Sequence, residues 1–249
     1  MNSPEEATRQ HWEKSFQEQL ALRAYNSAPV EALARTLSYH FRDRFTLDQL
    51  TSLHFLELGC GAGPNLLWLA QKGIKVSGID ISPTALALAR QTLEKAGCGN
   101  RIGALIESSV SKVPFDNESL DGVVEACVFQ HLARLDREAA FAEVARVLKP
   151  GGVFAGYMLD IGHTVFQQKQ TEQLSDDPGT LLLQDGLSNM YLTNLGISHF
   201  YRKDEIIGLL RGFALVDPCL TTYFLPQLEA QRRGYRDYLQ SMWTVYAVK

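Results

Sequence analysis

The feature that most constrains the fold is an alternation of short apolar segments with helical segments, which begins near residue 53. Residues 53–58 form an apolar run, and a glycine-rich turn joins this run to a helical pattern over residues 64–72. A second apolar run covers residues 75–81, and the Ser82-Pro83 pair that follows it is typical of a helix start. Strands separated by helices predict right-handed βαβ units and a mostly parallel sheet.

The same rhythm continues to the end of the sequence, with one interruption. Further strands are predicted at residues 102–107, 122–127, 153–159, 213–216 and 242–248, and further helices at 136–148, with Asp136 as N-cap, and at 203–211. The last two strands are close in sequence, so they can pair as antiparallel neighbours at a sheet edge. The predicted fold class is therefore α/β, with a doubly wound, mostly parallel, seven-stranded, Rossmann-like sheet.

Two segments fall outside this pattern. Helical patterns over residues 8–24 and 29–41 precede the first strand, so residues 1–50 are expected to form an N-terminal helical cap on a main domain of residues 51–249. Residues 161–200 are rich in polar and turn-forming residues and are predicted to be an insertion or lid on the substrate side.

Composition excludes several classes of protein. The net charge of −4 and the pI of 5.9 disfavour a general nucleic-acid binder, which needs an excess of lysine and arginine. The four cysteines form no CxxC pair, so no metal site is predicted. The polar N-terminus and the absence of a run of about 18 apolar residues predict a cytoplasmic protein without a membrane partner.

The glycine-rich turn has the sequence Glu57-Leu58-Gly59-Cys60-Gly61-Ala62-Gly63 and lies between a predicted strand and a predicted helix. Glycines here permit a tight turn and let a ligand approach the backbone. A dinucleotide fingerprint would need its third glycine at position 64, which is Pro64. The observed spacing favours a nucleoside without phosphates over a dinucleotide.

Four segments together resemble the class I S-adenosylmethionine (SAM)-dependent methyltransferases, and within them the small-molecule group. They are LELGCGAG, VSGIDIS, KVPFDNESLDGVVEACVFQHL and EVARVLKPGGVF, in the order that the family has them. The resemblance implies SAM as cofactor, S-adenosylhomocysteine (SAH) as product and methyl transfer to a small molecule by in-line displacement.

The resemblance also implies roles for particular residues. The methionine part of SAM would contact Glu57 and the loop residues Gly59, Cys60, Gly61 and Gly63. The ribose hydroxyls would donate to Asp80, and the adenine would lie against Ile81 and near Ser109 and Val110, with Ser109 standing where the family often has an acidic residue. Glu125 and the residues after it would line the methionine end, and Tyr25, with Trp12 and Phe16, would form a flap over SAM.

A catalytic base is optional, because the sulfonium cofactor carries the reactivity. His131 is the first candidate, since it follows the fourth strand and an imidazole titrates near neutral pH. Its alternative role is to pack or to cap a helix. Weaker candidates are Asp160, His163, Tyr191 and His199, and the three arginines Arg232, Arg233 and Arg236 would either bind an anionic substrate or form a solvated helix face.

Other functions remain open at this stage. A methyltransferase for tRNA or a protein would share the same cofactor motifs, and so would a protein that binds SAM without turnover. A nicotinamide-dependent dehydrogenase is disfavoured by Pro64. The small-molecule methyltransferase remains the first hypothesis, with no nucleic-acid partner expected.

Overall fold

A seven-stranded sheet with helices on both faces organises the chain in the computed structural model, which describes residues 4–184 and 195–249. The helices are α1 (Pro4–Ala21), α2 (Glu31–Arg44), α3 (Leu47–Leu50), α4 (Pro64–Ala70), α5 (Pro83–Lys95), α6 (Arg134–Val147), α7 (Thr164–Lys169), α8 (Lys203–Leu209) and α9 (Gln227–Arg232). The strands are β1 (His54–Leu58), β2 (Lys75–Asp80), β3 (Ile102–Glu107), β4 (Leu120–Ala126), β5 (Leu148–Leu159), β6 (Thr180–Leu183), β7 (Gly196–His199), β8 (Leu215–Phe224) and β9 (Leu239–Val248).

The sheet has the strand order β3-β2-β1-β4-β5-β9-β8. The first five strands are parallel, and β9 runs antiparallel to both of its neighbours, β5 and β8. The predicted fold class is confirmed, as is the antiparallel pairing of the last two strands. Because Leu159 at the end of β5 pairs with Met242, the start of β9 lies at the same sheet edge as the carboxyl ends of the parallel strands.

Two apolar layers cover the faces of the sheet, as the alternation of side chains along a strand requires. Phe55 of β1 is fully buried in one layer, where Leu37 and Phe41 of α2 also lie. The next residue, Leu56, is fully buried in the opposite layer together with Phe141 of α6. Because β1, β2 and β4 are parallel neighbours, the loops that follow them all lie at the edge of the sheet formed by the carboxyl ends of these strands.

The described parts of residues 161–200 contain α7 and a separate antiparallel hairpin of β6 and β7. A buried ion pair joins the segment before this hairpin to α6, with Arg137 Nη2 donating to Asp177 Oδ1 at 2.7 Å. Thr180 Oγ1 donates to Asp177 Oδ2 at 2.6 Å and lies 2.7 Å from Nδ1 of His199, whose Nε2 contacts Glu205. This polar chain fixes the hairpin against α6 and α8.

Several boundaries differ from those predicted. Helix α6 begins at Arg134 after Ala133, so Asp136 lies in the first turn, where its charge favours the helix dipole, and is not the N-cap. Strand β8 extends to Phe224 because it lies at the sheet edge, where Pro218 removes no hydrogen bond from a central ladder. Helix α9 was not predicted.

Candidate functional site

A cavity of about 1120 Å³ lies along the sheet edge formed by the carboxyl ends of the parallel strands. Single drug-sized ligands occupy pockets of about 300–1,000 Å³, so this cavity has room for more than one small molecule. We call the part lined by Glu57, the loop after β1, Asp80 and the segment after β3 the glycine-loop end. We call the part lined by Leu159, Ile197, Arg233, Tyr238, Gln240 and Met242 the β9 end.

The glycine loop has the backbone conformation that its sequence predicts. Gly59, Gly61 and Gly63 have φ values of 67°, 51° and 80°, which favour glycine. A Cβ atom on Gly59 would lie 2.4 Å from Cγ2 of Val128, so this position has no space for a side chain. The loop backbone therefore passes close to the segment after β4 and presents itself to the cavity.

Asp80 ends β2 and holds this loop. Its Oδ2 accepts a hydrogen bond from the backbone N–H of Gly61 at 2.9 Å, and its Oδ1 accepts one from the N–H of Ser82, also at 2.9 Å. Burial raises the pKa of the Asp80 carboxyl to about 6, although the backbone N–H groups oppose the shift. A buried carboxylate at the cavity wall is suited to accept hydrogen bonds from the two hydroxyls of a ribose.

Glu57 is the second buried acid at the glycine-loop end. Its Oε1 accepts a hydrogen bond from Asn65 Nδ2 at 2.7 Å, and Asn65 Oδ1 in turn accepts one from the backbone N–H of Val30 at 2.8 Å. Glu57 Oε2 is buried and has no hydrogen-bond partner among the described residues. Burial raises the pKa of Glu57 to about 8. A ligand that brings an ammonium group would supply the partner that this oxygen lacks.

The raised pKa of Glu57 predicts a pH-dependent stability of the ligand-free protein. The folded protein keeps this proton up to about pH 8, whereas the unfolded chain releases it near the ordinary glutamate pKa of 4.5. The contribution of neutral Glu57 to the free energy of unfolding is therefore fully present below pH 4.5. It is lost as the pH rises towards 8, at about 1.4 kcal/mol per pH unit. We expect Glu57→Gln to flatten the fall in the free energy of unfolding between pH 5 and 8, measured by urea denaturation.

Asp80 and Glu125 have pKa values raised to about 6 and about 7, so they also make the free energy of unfolding fall as the pH rises. The Glu57→Gln variant therefore keeps part of the parental slope. The exposed Glu138→Gln is the matched control and should leave the slope unchanged. Identical slopes for the parent and for Glu57→Gln would show that Glu57 ionises normally.

The segment after β3 completes the glycine-loop end. Ser109 and Val110 line the cavity as predicted, and Ser109 Oγ lies 2.9 Å from Ser111 Oγ. Glu107, two residues before Ser109, also lines the cavity and forms an ion pair with Arg9 of α1. An acidic group is thus present near the predicted adenine position, but it is already paired within the protein.

Helix α1 crosses the glycine-loop end and is bound to it by polar contacts. Glu13 accepts hydrogen bonds from Ser82 Oγ at 2.6 Å and Thr84 Oγ1 at 2.5 Å, at the start of α5. Trp12 and Phe16 line the cavity. Part of the flap predicted from the N-terminal aromatic residues therefore lies at the cavity wall.

His131 lies in the cavity wall after β4. Its Nδ1 is 3.0 Å from the carbonyl oxygen of Ile197 in β7, and because a carbonyl can only accept, Nδ1 carries the proton of the neutral ring. Nε2 is then the unprotonated nitrogen, and the Nε2 atom of Gln130 lies 3.3 Å away. Burial lowers the pKa of His131 to about 4, and the Trp12 ring packs at a centroid distance of 5.2 Å. The side chain is a neutral acceptor with a defined orientation.

The structure brings most of the predicted site residues to one cavity. These are Glu57, Gly59, Cys60, Gly61, Asp80, Ile81, Ser109, Val110 and His131. Gly63, Glu125 and Tyr25 are not among the described residues that line it. Glu125 instead accepts hydrogen bonds from the backbone N–H groups after β4, and Gly63 forms the N-cap of α4. Ala126 and Cys127, the two residues after Glu125, line the cavity in its place. Asn26, the residue after Tyr25, also lines the cavity.

The weaker candidates are mostly structural. Asp160 Oδ2 accepts from Ser241 Oγ and from the backbone of Gly162, and His163 caps α7. His199 belongs to the polar chain below the β6–β7 hairpin. Tyr191 lies outside the described residues.

The three arginines near the C-terminus separate in the structure. The side chains of Arg232 and Arg236 are 68% and 95% exposed, whereas Arg233 lines the cavity.

Sequence reasoning missed four side chains that organise the site: Arg9, Glu13, Asn65 and Gln130. Asn65 directly follows Pro64 on the first turn of α4, and its distance of eight residues from Glu57 gives no periodic signal. Arg9 and Glu13 lie four residues apart on α1, which indicates a shared helix face but no partner. Their partners are distant in sequence, so only the folded chain brings them together.

The fold and this edge define a class of protein. A parallel sheet with one antiparallel strand next to β5, a glycine-rich turn after β1 and an acid at the end of β2 are the features of a class I SAM-dependent methyltransferase domain. Residues 56–156 match the family model described as a methyltransferase domain. In the described part of the chain, no helix has the length and apolar character needed to cross a bilayer.

Curated relatives and solved structures agree with this classification. The chain is 27% identical over 135 residues to the sterol 4-C-methyltransferase strm-1 of Caenorhabditis elegans, covering 54% of this chain and 39% of that protein. It is 28% identical over 241 residues to the sterol 24-C-methyltransferase ERG6B of Gibberella zeae, covering 94% of this chain and 59% of that one. The chain thus spans less than two thirds of the length of these relatives.

A solved structure extends the likeness of the fold to the whole chain. The 1,6-didemethyltoxoflavin-N1-methyltransferase of Burkholderia thailandensis, solved with 1,6-didemethyltoxoflavin and SAH bound, superposes with a TM-score of 0.62. The match covers 100% of this chain and 91% of that one at 17% identity, so it supports the fold.

Proposed function

We propose that this protein transfers the methyl group of SAM to a small-molecule acceptor. The observation that carries the proposal is the single cavity that joins the glycine loop and two buried acids at one end to an apolar wall at the other. SAM supplies an electrophilic methyl group, which an acceptor attacks in line. The work of the chain is then to hold the two molecules in line and to keep water out.

The glycine-loop end fits an adenosyl sulfonium. The Asp80 carboxylate would accept from the ribose hydroxyls, and the orphan oxygen of Glu57 would pair with the amino group of the methionine part. Ile81 and Val110 offer apolar contact to the adenine, and Ser109 accepts from its amino group. A ligand without phosphate groups can make all of these contacts, which supports a nucleoside over a dinucleotide.

The remaining wall favours a small molecule. Helix α1 and strand β7 both contribute to the cavity wall, and the carbonyl oxygen of Ile197 in β7 contacts His131 directly. The sterol methyltransferases among the relatives have small-molecule acceptors, which is consistent with this proposal.

The direct test has two stages. Calorimetric titration of the purified protein with SAM, SAH and NAD is expected to show binding of the first two alone. Incubation with SAM and a panel of small-molecule acceptors is then expected to release SAH at a rate that depends on the acceptor. Binding of NAD in place of SAM would contradict the classification, and SAM binding without SAH release from any acceptor would favour a SAM-binding protein that does not transfer the methyl group.

His131 is the proposed proton acceptor in the transfer. Since its pKa is about 4, the ring is neutral throughout the physiological range, and its Nε2, whose contact with Gln130 Nε2 is long at 3.3 Å, can exchange that contact for the proton that the attacked group loses. A base this weak contributes less than one tuned to neutral pH, so we expect His131→Gln to lower kcat by roughly 10- to 100-fold. The KM for SAM should change little, since His131 is not placed among the predicted cofactor contacts.

The matched control for this measurement is His40→Gln. His40 is also buried, with a pKa lowered to about 4, but it packs against Tyr246 and does not line the cavity. We expect the control to keep the parental kcat. If His131→Gln also keeps kcat within two-fold of the parent, His131 has only a packing role.

A further inference from the structure

We propose that the acceptor is an apolar molecule that carries one carboxylate, and that Arg233 binds this carboxylate at the β9 end of the cavity. This inference rests on the proposed function, because it assigns the glycine-loop end to the cofactor. It adds to that function the chemical class of the second substrate and a residue that selects it.

The strand order separates the two ends of the cavity. Strand β9 is three positions from β1, since β4 and β5 lie between them, and neighbouring strands are about 4.8 Å apart. The β9 end is therefore about 14 Å from the glycine loop measured across the sheet. A molecule at the β9 end lies beside the cofactor site and outside the Asp80 and Glu57 cradle.

The wall of the β9 end is mainly apolar. Leu159 and Met242 are fully buried neighbours on β5 and β9, and Ile197 faces the same space from β7. Tyr238 is 1% exposed and adds an aromatic surface. This lining fits a hydrocarbon or aromatic body, because burial of such a body gains free energy in proportion to its area.

Arg233 is the one formally charged side chain among the described residues that line the β9 end. Its Nε donates to Glu229 Oε1 at 3.0 Å, and its guanidinium lies 5.3 Å from the centre of the Tyr238 ring. These contacts fix the orientation of the guanidinium. Arg233 also forms a side-chain hydrogen bond with Tyr238. A guanidinium has five N–H donors in a planar fork, so a carboxylate can bind it alongside Glu229 and Tyr238.

The charge of the site favours a carboxylate over a phosphate. Because Glu229 already offsets part of the single positive charge of Arg233, the site can accommodate at most one further negative charge, whereas a phosphate monoester carries close to two and would need a second cation. Arg232 does not supply it, because its side chain is 68% exposed on the outer side of the same helix. Arg232 is thus a matched control for Arg233, with the same charge and the same partner Glu229 but no place in the cavity wall.

The test uses isothermal titration calorimetry on the full chain in the presence of saturating SAH. The probes are 4-phenylbutanoate, its neutral amide 4-phenylbutanamide, and 3-phenylpropyl phosphate. We expect the parent protein to bind the acid roughly 10- to 100-fold more tightly than the amide, the range that hydrogen bonds to a charged group give. Arg233→Gln should abolish this preference, Arg233→Lys should restore part of it, and Arg232→Gln should keep it in full.

Three outcomes would overturn the proposal: equal affinity of acid and amide in the parent, a preference that survives Arg233→Gln, or tighter binding of the phosphate than of the acid. Failure of all three probes to bind counts against it in the same way. The affinity for SAH is titrated in every sample and should not differ between parent and variants. If the parent does not bind SAH, the proposed function fails, and the comparison of acid with amide on the protein alone still tests Arg233.

Discussion

Replacement of Asp80 by alanine is expected to weaken SAM binding by roughly 10²–10⁴-fold while the protein remains folded. Two hydroxyl donors would lose a charged acceptor, and each such hydrogen bond contributes about 1.5–3 kcal/mol. The variant also releases the backbone N–H groups of Gly61 and Ser82, which loosens the glycine loop itself. Asp80→Asn keeps one side-chain acceptor without the charge and should have an intermediate affinity. Calorimetry with SAM and SAH measures all three proteins.

Asp121→Ala is the matched control for this experiment. Asp121 is also a carboxylate that accepts from a backbone N–H, that of His54 at 2.9 Å, but it lies at the opposite edge of the sheet, where β1 begins. The control variant is expected to bind SAM as the parent does. If a folded Asp80→Ala protein keeps the parental affinity, Asp80 does not hold the ribose and the assignment of the glycine-loop end is wrong.

Replacement of Arg137 by alanine is expected to lower the free energy of unfolding by about 3–5 kcal/mol, because it leaves the buried Asp177 without its cation. The Arg137 side chain is 3% exposed and that of Asp177 is 11% exposed, so water cannot replace the lost partner. For a chain of this size the melting temperature should fall by roughly 6–20 °C. Urea denaturation and thermal unfolding monitored by circular dichroism measure the two quantities.

Arg134→Ala on the same helix is the control for the stability measurement. Arg134 pairs with Glu138 at 3.6 Å, but both side chains are about half exposed, and such surface pairs contribute about 0–1 kcal/mol. The melting temperature of this control should stay close to that of the parent. Similar losses in the two variants would mean that the Arg137–Asp177 pair is not the contact that fastens the hairpin to α6.

The sequence predicted the parallel part of the sheet because local signals and burial agree there. Ser82 caps α5 by accepting from the N–H of Ala85 at 3.0 Å, as the Ser82-Pro83 pair indicates, and Gly73 adopts the positive φ of 86° expected at a helix end. Asp80 ends β2 at the cavity, as its position after an apolar run implies. Each of these features depends on residues within a few positions of one another.

The rest of the fold depends on contacts between distant residues. The β6–β7 hairpin is stabilised by Arg137 and Glu205, which lie outside the hairpin and gave no local sign of their partners. In the site, the orphan oxygen of Glu57 and the pairing of Glu107 with Arg9 are set by packing. The family resemblance implied that Glu125 lines the cavity, but its carboxylate accepts from two backbone N–H groups after β4 and from that of Tyr157 in β5.

Because β9 is antiparallel to β5, its first residues reach the cavity, and the two ends of the cavity come from different regions of the chain. Most of the glycine-loop end comes from residues within the 56–156 segment that matches the family model, whereas the β9 end is formed by Leu159, Ile197 and residues 233–242, all outside it. Under the proposed function, the residues that face the acceptor therefore lie outside the matched segment, whereas most of the residues that hold the nucleoside lie within it. Similarity that is confined to residues 56–156 therefore does not extend to the wall of the β9 end, and it does not imply a shared acceptor.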